Sequence, residues 1–447
     1  MRVRGLTATL AAKASRHEVV IRSIAWAVLV CQSVAAFFIL PRVRGDAPDY
    51  LRLADDLARG SFGTAAWPEA MRPPGYPLFL CVLHNLMGLP VDFIAVLQLL
   101  MYIGSIWAVS RFLSGRARTI FVCFAAVYPF AAFYASAIMA EAIATLLLTI
   151  IALLVARLSW ARVLLAGALS GLLTMFRPDF ALLPLALALG FGWRQPMRAV
   201  AMIIAAAAVM TPYAMWNAAN FGKLSPVPVA GALGTSLYLS TWQDKVSLES
   251  LNALYAGRAT PEAQKAGLIA EVTRINRSIG APPLTAPWNP ADYSPLSRER
   301  AAVAAFGDAA IARIKADPAF YVRHVVLNVW RLWNSSSYPA LAPLLALISG
   351  MVALLGFCGA ALNLWRPHGP LTQTQVLAFL YLPAVHIGLH TEARYTAAAR
   401  PLLLMYAAWF VVYLMQRVFR QGSPEYGGGE ASRGMPDKAP ASLVPNP

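Results

Sequence analysis

Charged residues are scarce in this chain. They make up 13% of its 447 residues, whereas 58% are hydrophobic, and soluble globular chains carry roughly a quarter charged residues. The composition therefore excludes a soluble protein. Apolar runs close to the length of about 20 residues that crosses a bilayer recur along the chain, and they predict an integral membrane protein.

Cysteine is also rare, and its spacing matches neither a disulfide framework nor a zinc site. We interpret the four cysteines as small core residues, because all of them lie in apolar segments: Cys31, Cys81, Cys123 and Cys358.

Positive charge is what the chain has in excess, with a net charge of +16. In a soluble protein this would indicate a nucleic-acid partner. Here Lys and Arg fill short gaps between apolar runs, which is the positive-inside pattern, so no nucleic-acid partner is predicted. Basic residues also precede the first apolar run, 24–40, and no small-residue cleavage site follows it. We therefore expect an uncleaved first helix with a cytoplasmic N-terminus.

The apolar runs predict ten membrane spans, or eleven if segment 75–88 also crosses. That segment has only 14 residues, which is short for a crossing. If it stays at one surface, all the Arg-rich loops between spans fall on the cytoplasmic side, so we predict a re-entrant or interfacial helix. The expected spans are 24–40, 93–113, 120–135, 137–158, 163–176, 180–193, 200–216, 342–364, 375–389 and 398–415.

The predicted fold is an all-α polytopic membrane bundle without internal repeats. Its long loop is expected to be mainly helical, with helices over 297–315 and 319–333 separated by Asp317-Pro318. We divide the chain into a transmembrane bundle 1–220 that includes the first outer loop 42–74, an outer region 221–338, C-terminal spans 339–418 and a disordered cytoplasmic tail 419–447.

The polar loop after the first span carries acidic residues and ends in a rigid turn. Asp46 and Asp49 flank Pro48, which fits the first turn of a helix with Asp46 as its cap. Asp46 also lies where the first span leaves the bilayer, which makes it a candidate catalytic residue. Asp55 and Asp56 are interpreted as the surface of that helix. Arg72 opens the turn Arg-Pro-Pro-Gly-Tyr-Pro, where its guanidinium would be held at the interface to bind a phosphate.

Further ionisable residues lie beside apolar segments. Glu141 stands at the outer end of an apolar hairpin, where a carboxylate marks a functional site or has a partner. Arg177 and Asp179 flank Pro178, and they either neutralise each other or take part in the site. The former is the favoured interpretation.

A last cluster surrounds the outer end of the penultimate span. His386 and His390 share a helix face as a metal pair would, but no third ligand follows at a telling spacing, so a zinc site is not predicted. Glu392 and Arg394 are interpreted instead as a charge pair, with Arg394 or Arg400 meeting a lipid phosphate.

In this order, the motifs resemble the GT-C superfamily of polyprenyl-phosphate-sugar glycosyltransferases, with protein O-mannosyltransferases and lipid A aminoarabinose transferases as nearer relatives. The resemblance runs from about residue 22 to residue 415 and is loose in the long loop. The residues that carry it are Asp46, Tyr50, Arg72, Tyr76, Glu141, Arg177, Arg394 and Tyr395. Those of them that are not catalytic, together with Glu392, are predicted to bind the substrate.

The resemblance implies an inverting transfer from a lipid-phosphate sugar, with the acid of the first outer loop as base. That acid maps onto Asp46. The chain departs from the family's frequent Asp-Glu pair because Ala47 follows Asp46, so the base remains open between Asp46 and Asp49. A sugar on a polyprenyl phosphate already carries an anionic leaving group, which Arg72 and Arg394 need only stabilise, so neither a metal nor another cofactor is required.

The expected partners are thus a polyprenyl-phosphate sugar, the bilayer and an acceptor that is a glycolipid, a glycan or a protein. The alternatives are a lipid-linked sugar transporter or flippase, a polysaccharide polymerase or ligase, and a noncatalytic scaffold. A transporter would show internal repeats and charges near the bilayer midplane, whereas the charges here gather at one face. Ala- and Arg-rich usage points to a bacterial inner membrane.

Overall fold

The computed structural model describes residues 2–63, 68–230, 233–246, 250, 260–265, 267–278, 296–334, 342–365 and 372–421. Within these ranges every regular element is a helix, and the pairing of Gly63 with Pro68 is an isolated bridge. The predicted all-α fold is therefore confirmed for them. Nearly all of the predicted tail 419–447, and several parts of the predicted outer region 221–338, lie outside the described residues.

The helices follow one another with short connections through most of the chain. Among the described residues, a π-helix, Cys81–Leu86, and the 3₁₀ helices Pro178–Phe180 and Ala393–Ala399 are interspersed between the α-helices. The α-helices are α1 Arg2–Ile39, α2 Ala47–Ala58, α3 Gly75–Leu80, α4 Val91–Phe112, α5 Gly115–Val127, α6 Phe130–Ala135, α7 Glu141–Leu154, α8 Trp160–Phe176, α9 Leu183–Leu189, α10 Pro196–Phe221, α11 Leu233–Ser240, α12 Pro261–Lys265, α13 Leu268–Ser278, α14 Leu296–Ala316, α15 Pro318–Asn334, α16 Ala342–Trp365, α17 Gln373–His386 and α18 Arg400–Gln421.

The chain is a multi-pass membrane protein. Among the described residues, five helices are long and apolar enough to cross a bilayer, and four more apolar helices are shorter. The long ones are Arg16–Ile39, Val91–Phe112, Pro196–Phe221, Pro343–Trp365 and Ala393–Val418, and the short ones are Gly75–Leu86, Glu141–Leu154, Trp160–Phe176 and Pro178–Leu189.

Predicted spans are interrupted at several points in the structure. The run 180–193 is α-helical only over Leu183–Leu189, and two longer runs are also broken. The apolar run 120–135 divides into α5 and α6 at Pro129, which has no backbone N–H to continue a helix. The run 137–158 begins with a non-helical stretch, and α7 starts only at Glu141. Hydropathy does not register either break, because the residues around both are apolar.

Segment 75–88 starts and ends at the same end of the bundle, as the charge pattern predicts for a helix that does not cross. Near its end, Asn85 donates to the Asp55 carboxylate of α2 at 2.7 Å. Directly after it, Asp92 at the start of α4 lies 3.0 Å from Arg42, which follows the end of α1. The segment is α3 continued by the π-helix.

Three of the basic loops lie at the opposite end of the bundle. Arg198 donates to the carbonyl oxygen of Leu158 at 2.7 Å and so joins two of them. Arg116, in a third, lies 3.6 Å from Glu18 near the start of the first apolar run. Acidic and basic segments are thus separated along the axis of the bundle.

Gly75 brings α3 against the end of α8. A Cβ atom added there would overlap the carbonyl oxygen of Met175, a backbone atom that cannot move aside. We therefore expect Gly75→Ala to lower the free energy of unfolding by about 1–3 kcal/mol. Gly104→Ala is the matched control, because that added Cβ atom meets nothing within 4 Å and removing a helical glycine stabilises by roughly 0.5–1 kcal/mol. Thermal unfolding in detergent checks both, and equal shifts would contradict the prediction.

The helices of the predicted outer region form a small core of their own. Helices α11, α13 and α14 and the turn after α11 contribute to it. The two helices predicted from sequence in this loop are confirmed as α14 and α15, and Asp317 between them accepts a hydrogen bond from the backbone N–H of Phe320 at 3.0 Å, as an N-terminal cap does. The buried core members are Tyr238, Leu239, Trp242, Val246, Leu268, Val272, Ile275 and Ala310.

Candidate active site

The carboxylate of Asp46 lies between two guanidinium groups. One of its oxygens is 3.2 Å from Arg72 Nη2 and the other is 3.1 Å from Arg394 Nη1. Asp46 occupies the N-cap position of α2, but its side chain makes no capping hydrogen bond. The predicted capping role is therefore wrong, because charge-assisted bonds to two guanidiniums are stronger than a bond to a backbone N–H.

Arg72 also binds the second acid of the first loop. Its Nη2 atom lies 2.7 Å from Asp49 Oδ2, and its guanidinium carbon stands 4.8 Å from the centre of the Tyr50 ring. Asp49 and Tyr50 both belong to α2, and Arg72 precedes α3. Arg72 is therefore one of the side chains through which helix α2 and the proline-rich turn meet.

Arg394 enters from a distant part of the chain. The 3₁₀ helix Ala393–Ala399 carries it, with Glu392 directly before that helix. Arg394 Nε lies 3.0 Å from Glu392 Oε2, as the interpretation of these two residues as a charge pair predicted. The span that begins with this helix is the most buried of the long apolar helices in the described chain, so Arg394 is attached to a well-packed part of the bundle.

Two opposing effects set the protonation of Asp46. Burial alone would raise its pKa, but the charges of Arg394 and Arg72 outweigh burial and hold the pKa below its ordinary value. Asp46 is therefore an anion at neutral pH, and its side chain is still 34% exposed, so a solute can reach it. Burial raises the pKa of the Tyr50 hydroxyl to about 12, which keeps that group protonated as a hydrogen-bond donor.

Tyr76 lies behind Tyr50 rather than beside the two guanidiniums. Its ring centre is 4.8 Å from that of Tyr50, and it is fully buried. Its hydroxyl donates to Gln98 Oε1 at 2.6 Å, and the Gln98 amide donates to the carbonyl oxygens of Ala135 and Ala137. Tyr76 thus ties α3 to α4 and to the stretch before α7, and it supports Tyr50 from within the bundle.

A second charge cluster is buried next to the first. Arg177 makes two bonds to the Asp179 carboxylate, at 3.2 and 2.7 Å, as the favoured interpretation of this pair predicted. Glu141 lies 3.8 Å from Arg177 Nη1 and is close enough to Asp46 and Arg394 for their charges to interact. His386 Nε2 lies 3.0 Å from Asp179, so α17 is attached to the same cluster.

The histidines that sequence analysis weighed as a metal pair flank Tyr395 instead. The His386 ring is stacked on the Tyr395 ring at 4.7 Å between centres, and the His390 ring meets it edge-on at 6.4 Å. In the part of the chain that the structure describes, no three His, Cys, Asp or Glu side chains are grouped so as to hold a metal ion. Tyr395 is therefore clamped by aromatic contacts beside Arg394.

Arg400 was the alternative to Arg394 as a phosphate ligand, and its position does not suit that role. Its side chain is fully buried. It donates to the hydroxyl of Tyr128 and, at 3.0 Å, to the carbonyl oxygen of Ala393. Arg400 thus stabilises the 3₁₀ helix from inside the bundle.

Two features of the site were missed by sequence reasoning. One is the contact of His386 with Asp179, which joins residues 207 positions apart. The other is Glu69, which accepts hydrogen bonds from the backbone of the Arg72 turn. The sequence feature that could have indicated Glu69 is an acidic residue three positions before Arg72. In addition, Asp56 was assigned to an exposed helix surface, but it is buried between Arg52 and Arg59, which neutralise it from the next turn in each direction.

The arrangement combines an anionic oxygen base with two cationic forks at one end of a membrane bundle. A carboxylate can remove a proton from a hydroxyl, and two guanidiniums can bind a phosphate oxygen. Asp49 contacts the same Nη2 atom of Arg72 as Asp46 does, and Glu392 contacts Nε of Arg394. The carboxylate base and the guanidinium anion site are therefore about 3 Å apart. This suits a reaction in which a hydroxyl loses its proton to the carboxylate while a phosphate leaves beside the guanidiniums.

Neither a protein-family model nor a curated protein sequence matches the chain. Its structure is similar to an Archaeoglobus fulgidus oligosaccharyltransferase tethered with an acceptor peptide, at 15% identity and a TM-score of 0.49, over 92% of this chain and 51% of that one. A second similarity is to AglB of that organism in complex with an inhibitory peptide and a dolichol-phosphate, at 14% identity, TM-score 0.46, 93% and 52%. The chain spans about half the length of these two.

A third similarity is to ArnT from Cupriavidus metallidurans bound to undecaprenyl phosphate. Its identity is 14% and its TM-score 0.37, over 90% of this chain and 81% of that one. At identities of 14–15%, these are similarities of fold alone.

Proposed function

We propose that the chain is a membrane glycosyltransferase that moves a sugar from a polyprenyl-phosphate donor to a hydroxyl of an envelope acceptor. The acceptor is a lipid, a glycan or a protein. The observation that carries the proposal is the Asp46 carboxylate held between Arg72 and Arg394 at 3.2 and 3.1 Å. The site faces the outer side of a bacterial inner membrane, with the N-terminus in the cytoplasm.

The acceptor is activated by Asp46. Its carboxylate takes the proton of the acceptor hydroxyl while that oxygen attacks the anomeric carbon of the sugar. The bond between the anomeric carbon and the phosphate oxygen breaks on the opposite face, so the configuration is inverted. We assign the base to Asp46 rather than Asp49, because Asp46 contacts both guanidiniums whereas Asp49 contacts Arg72 alone.

The leaving group is stabilised by Arg72 and Arg394. The departing polyprenyl phosphate keeps the electron pair of the broken bond, and two guanidiniums that are already in place compensate its charge without reorganising. Glu392 orients Arg394 at 3.0 Å, and the rings of Tyr50 and Tyr395 pack beside the two guanidiniums. The polyprenyl tail lies in a groove between helices at the outer leaflet.

Donor binding makes Asp46 a stronger base. In the structure, Arg72 and Arg394 hold the pKa of Asp46 below its ordinary value although burial acts to raise it. A phosphate anion competes with Asp46 for both guanidiniums, because each can form charge-assisted bonds with either anion. As the donor phosphate shares the two cations with Asp46, the proton affinity of Asp46 rises. The base is thus activated when the leaving group is bound.

The remaining predicted substrate ligands surround this pair at greater depth. Glu141 and Arg177 form the buried cluster behind Asp46, and Tyr76 supports Tyr50. We propose that they shape the sugar pocket between the bundle 1–220 and the C-terminal spans 339–418. The outer region 221–338 then faces the acceptor.

The proposal is tested with the full chain reconstituted in lipid nanodiscs. The donors are a panel of polyprenyl-phosphate hexoses and pentoses, presented with an envelope extract as the source of acceptors. Release of polyprenyl phosphate, measured by mass spectrometry, is expected with at least one donor and only when the extract is present. Transport of an intact donor between leaflets without release of polyprenyl phosphate would contradict the proposal and favour a transporter.

A further inference from the structure

Glu69 is a buried carboxyl group that has no direct contact with Asp46 or Asp49. Its residue is 6% exposed, and Oε1 accepts hydrogen bonds from the backbone N–H groups of Met71 at 2.8 Å and Arg72 at 2.9 Å. A carboxylate in such surroundings is costly unless it has partners. Glu69 therefore has a structural reason to be where it is, and its partners belong to the Arg72 turn.

The chemistry of the turn explains why an external acceptor is needed. Pro73 and Pro74 follow Arg72 and have no N–H groups, so the turn cannot close on itself by the usual backbone bonds. The N–H groups of Met71 and Arg72 lie in a half-buried turn, where an unpaired donor is costly. One oxygen of Glu69 satisfies both and fixes the direction in which the Arg72 side chain leaves the backbone.

Glu69 also connects this turn with α2. Arg52 Nη2 lies 3.8 Å from Glu69 Oε2, and Arg52 belongs to the helix that carries Asp49. Two further contacts hold the turn from other sides. The Tyr213 hydroxyl of α10 donates to the Arg72 carbonyl oxygen at 3.4 Å, and the backbone N–H of Ala230 donates to the carbonyl oxygen of Ala70 at 2.9 Å.

We propose that Glu69 is a positioning residue for the transfer reaction, which sets the Arg72 guanidinium within reach of both the donor phosphate and Asp46. The inference rests on the proposed function. It adds that the competence of Arg72 depends on a carboxylate that touches neither substrate nor base.

The ionisation of Glu69 gives this role a signature. Burial raises its pKa above the ordinary value, although the bonds from Met71 and Arg72 and the charges of Arg72 and Arg52 oppose that. These two arginines face it from the turn and from α2, and the Tyr213 hydroxyl faces it from α10. Asp46, by contrast, has a lowered pKa. As the pH falls, Glu69 therefore takes up its proton before Asp46 does.

The direction of the effect on activity follows from this order. Protonated Glu69 is a neutral acceptor, and hydrogen bonds to neutral groups are about half as strong as those to ions. The kcat/KM of the wild-type protein therefore has its full value at pH values above the raised pKa of Glu69, and it falls as the pH drops through that pKa. Glu69→Gln is neutral at every pH, so its acid limb moves down towards the pKa of Asp46.

The test compares Glu69→Ala, Glu69→Gln and Asp56→Asn in nanodiscs. Asp56 is a matched control, because it is also buried at 6% and also pairs with Arg52 but makes no bond to the Arg72 turn. Glu69→Ala is expected to lower kcat/KM by about 100-fold, as small misplacements of a reacting group do. Glu69→Gln is expected to lose roughly tenfold, since it keeps a weaker acceptor, and to lose the wild-type acid limb.

The outcomes separate this inference from the proposed function. If the wild-type protein transfers sugar and Asp46→Asn does not, but Glu69→Gln keeps the wild-type pH profile, the positioning role is overturned and the function stands. If Asp56→Asn reproduces the loss and the shifted profile of the Glu69 variants at an equal change in melting temperature, Glu69 acts only through stability, and the inference also fails. A wild-type protein that transfers no sugar removes both.

Discussion

The substitution Asp46→Asn is expected to lower kcat for sugar transfer by about 10²- to 10⁴-fold, the range lost with a general base. Asparagine has nearly the same size and cannot accept the acceptor's proton. The fold should be retained, because Arg72 keeps Asp49 at 2.7 Å and Arg394 keeps Glu392 at 3.0 Å. The measurement is single-turnover release of polyprenyl phosphate, which reports the chemical step, together with the melting temperature.

Asp49→Asn and Asp55→Asn make this result specific. Asp49 contacts Arg72 but not Arg394, so its loss should weaken the orientation of one fork and cost about tenfold. Asp55 lies on the same helix, exposed, and bonds to Asn85, so its substitution should leave kcat unchanged. A kcat lower for Asp49→Asn than for Asp46→Asn would transfer the role of base to Asp49, the assignment that the motif alone leaves open.

The sequence sufficed to bring Asp46 and Arg72 together. They lie 26 positions apart on either side of one polar loop. Helix α1 ends and helix α3 begins at the same surface of the bundle. Charge parity also placed Arg394 at that surface. Arg394 lies 3.1 Å from Asp46, although the two residues are 348 positions apart. This contact depends on how the C-terminal helices pack, and local sequence periodicity does not predict their packing.

Local rules failed where tertiary contacts compete with them. The rule for helix caps assigned the Asp46 side chain to the backbone of α2, but two guanidiniums took it instead. The amphipathic pattern assigned Asp56 to solvent, but Arg52 and Arg59 allow it to be buried. In both places an acidic side chain is paired with arginines. A sequence pattern describes neighbours along the chain, and it does not predict which arginines lie close in the folded protein.

A large effect is also expected when either guanidinium side chain of the site is replaced. Arg72→Ala and Arg394→Ala are each expected to lower kcat by about 10²- to 10³-fold, as loss of one preorganised donor to a developing anion does. Lysine should restore little, because an ammonium group has neither the planar fork nor its two parallel bonds. Arg59→Ala is the control, since Arg59 is exposed and pairs with Asp56 away from the site.

The double variant distinguishes a shared phosphate from two separate roles. If both guanidiniums act on one leaving group, removing the second costs less than removing the first, so the combined loss is smaller than the product of the single losses.

The pH profile gives an independent check. Because Arg394 and Arg72 lower the pKa of Asp46, their removal lets burial raise it. In the Glu69→Gln background, where Asp46 sets the acid limb, activity is lost as the pH falls through the pKa of Asp46. That limb of kcat/KM should therefore move to higher pH when both arginines are also replaced. Fully multiplicative losses with an unmoved acid limb would mean that the two arginines do not share the phosphate and do not tune the base.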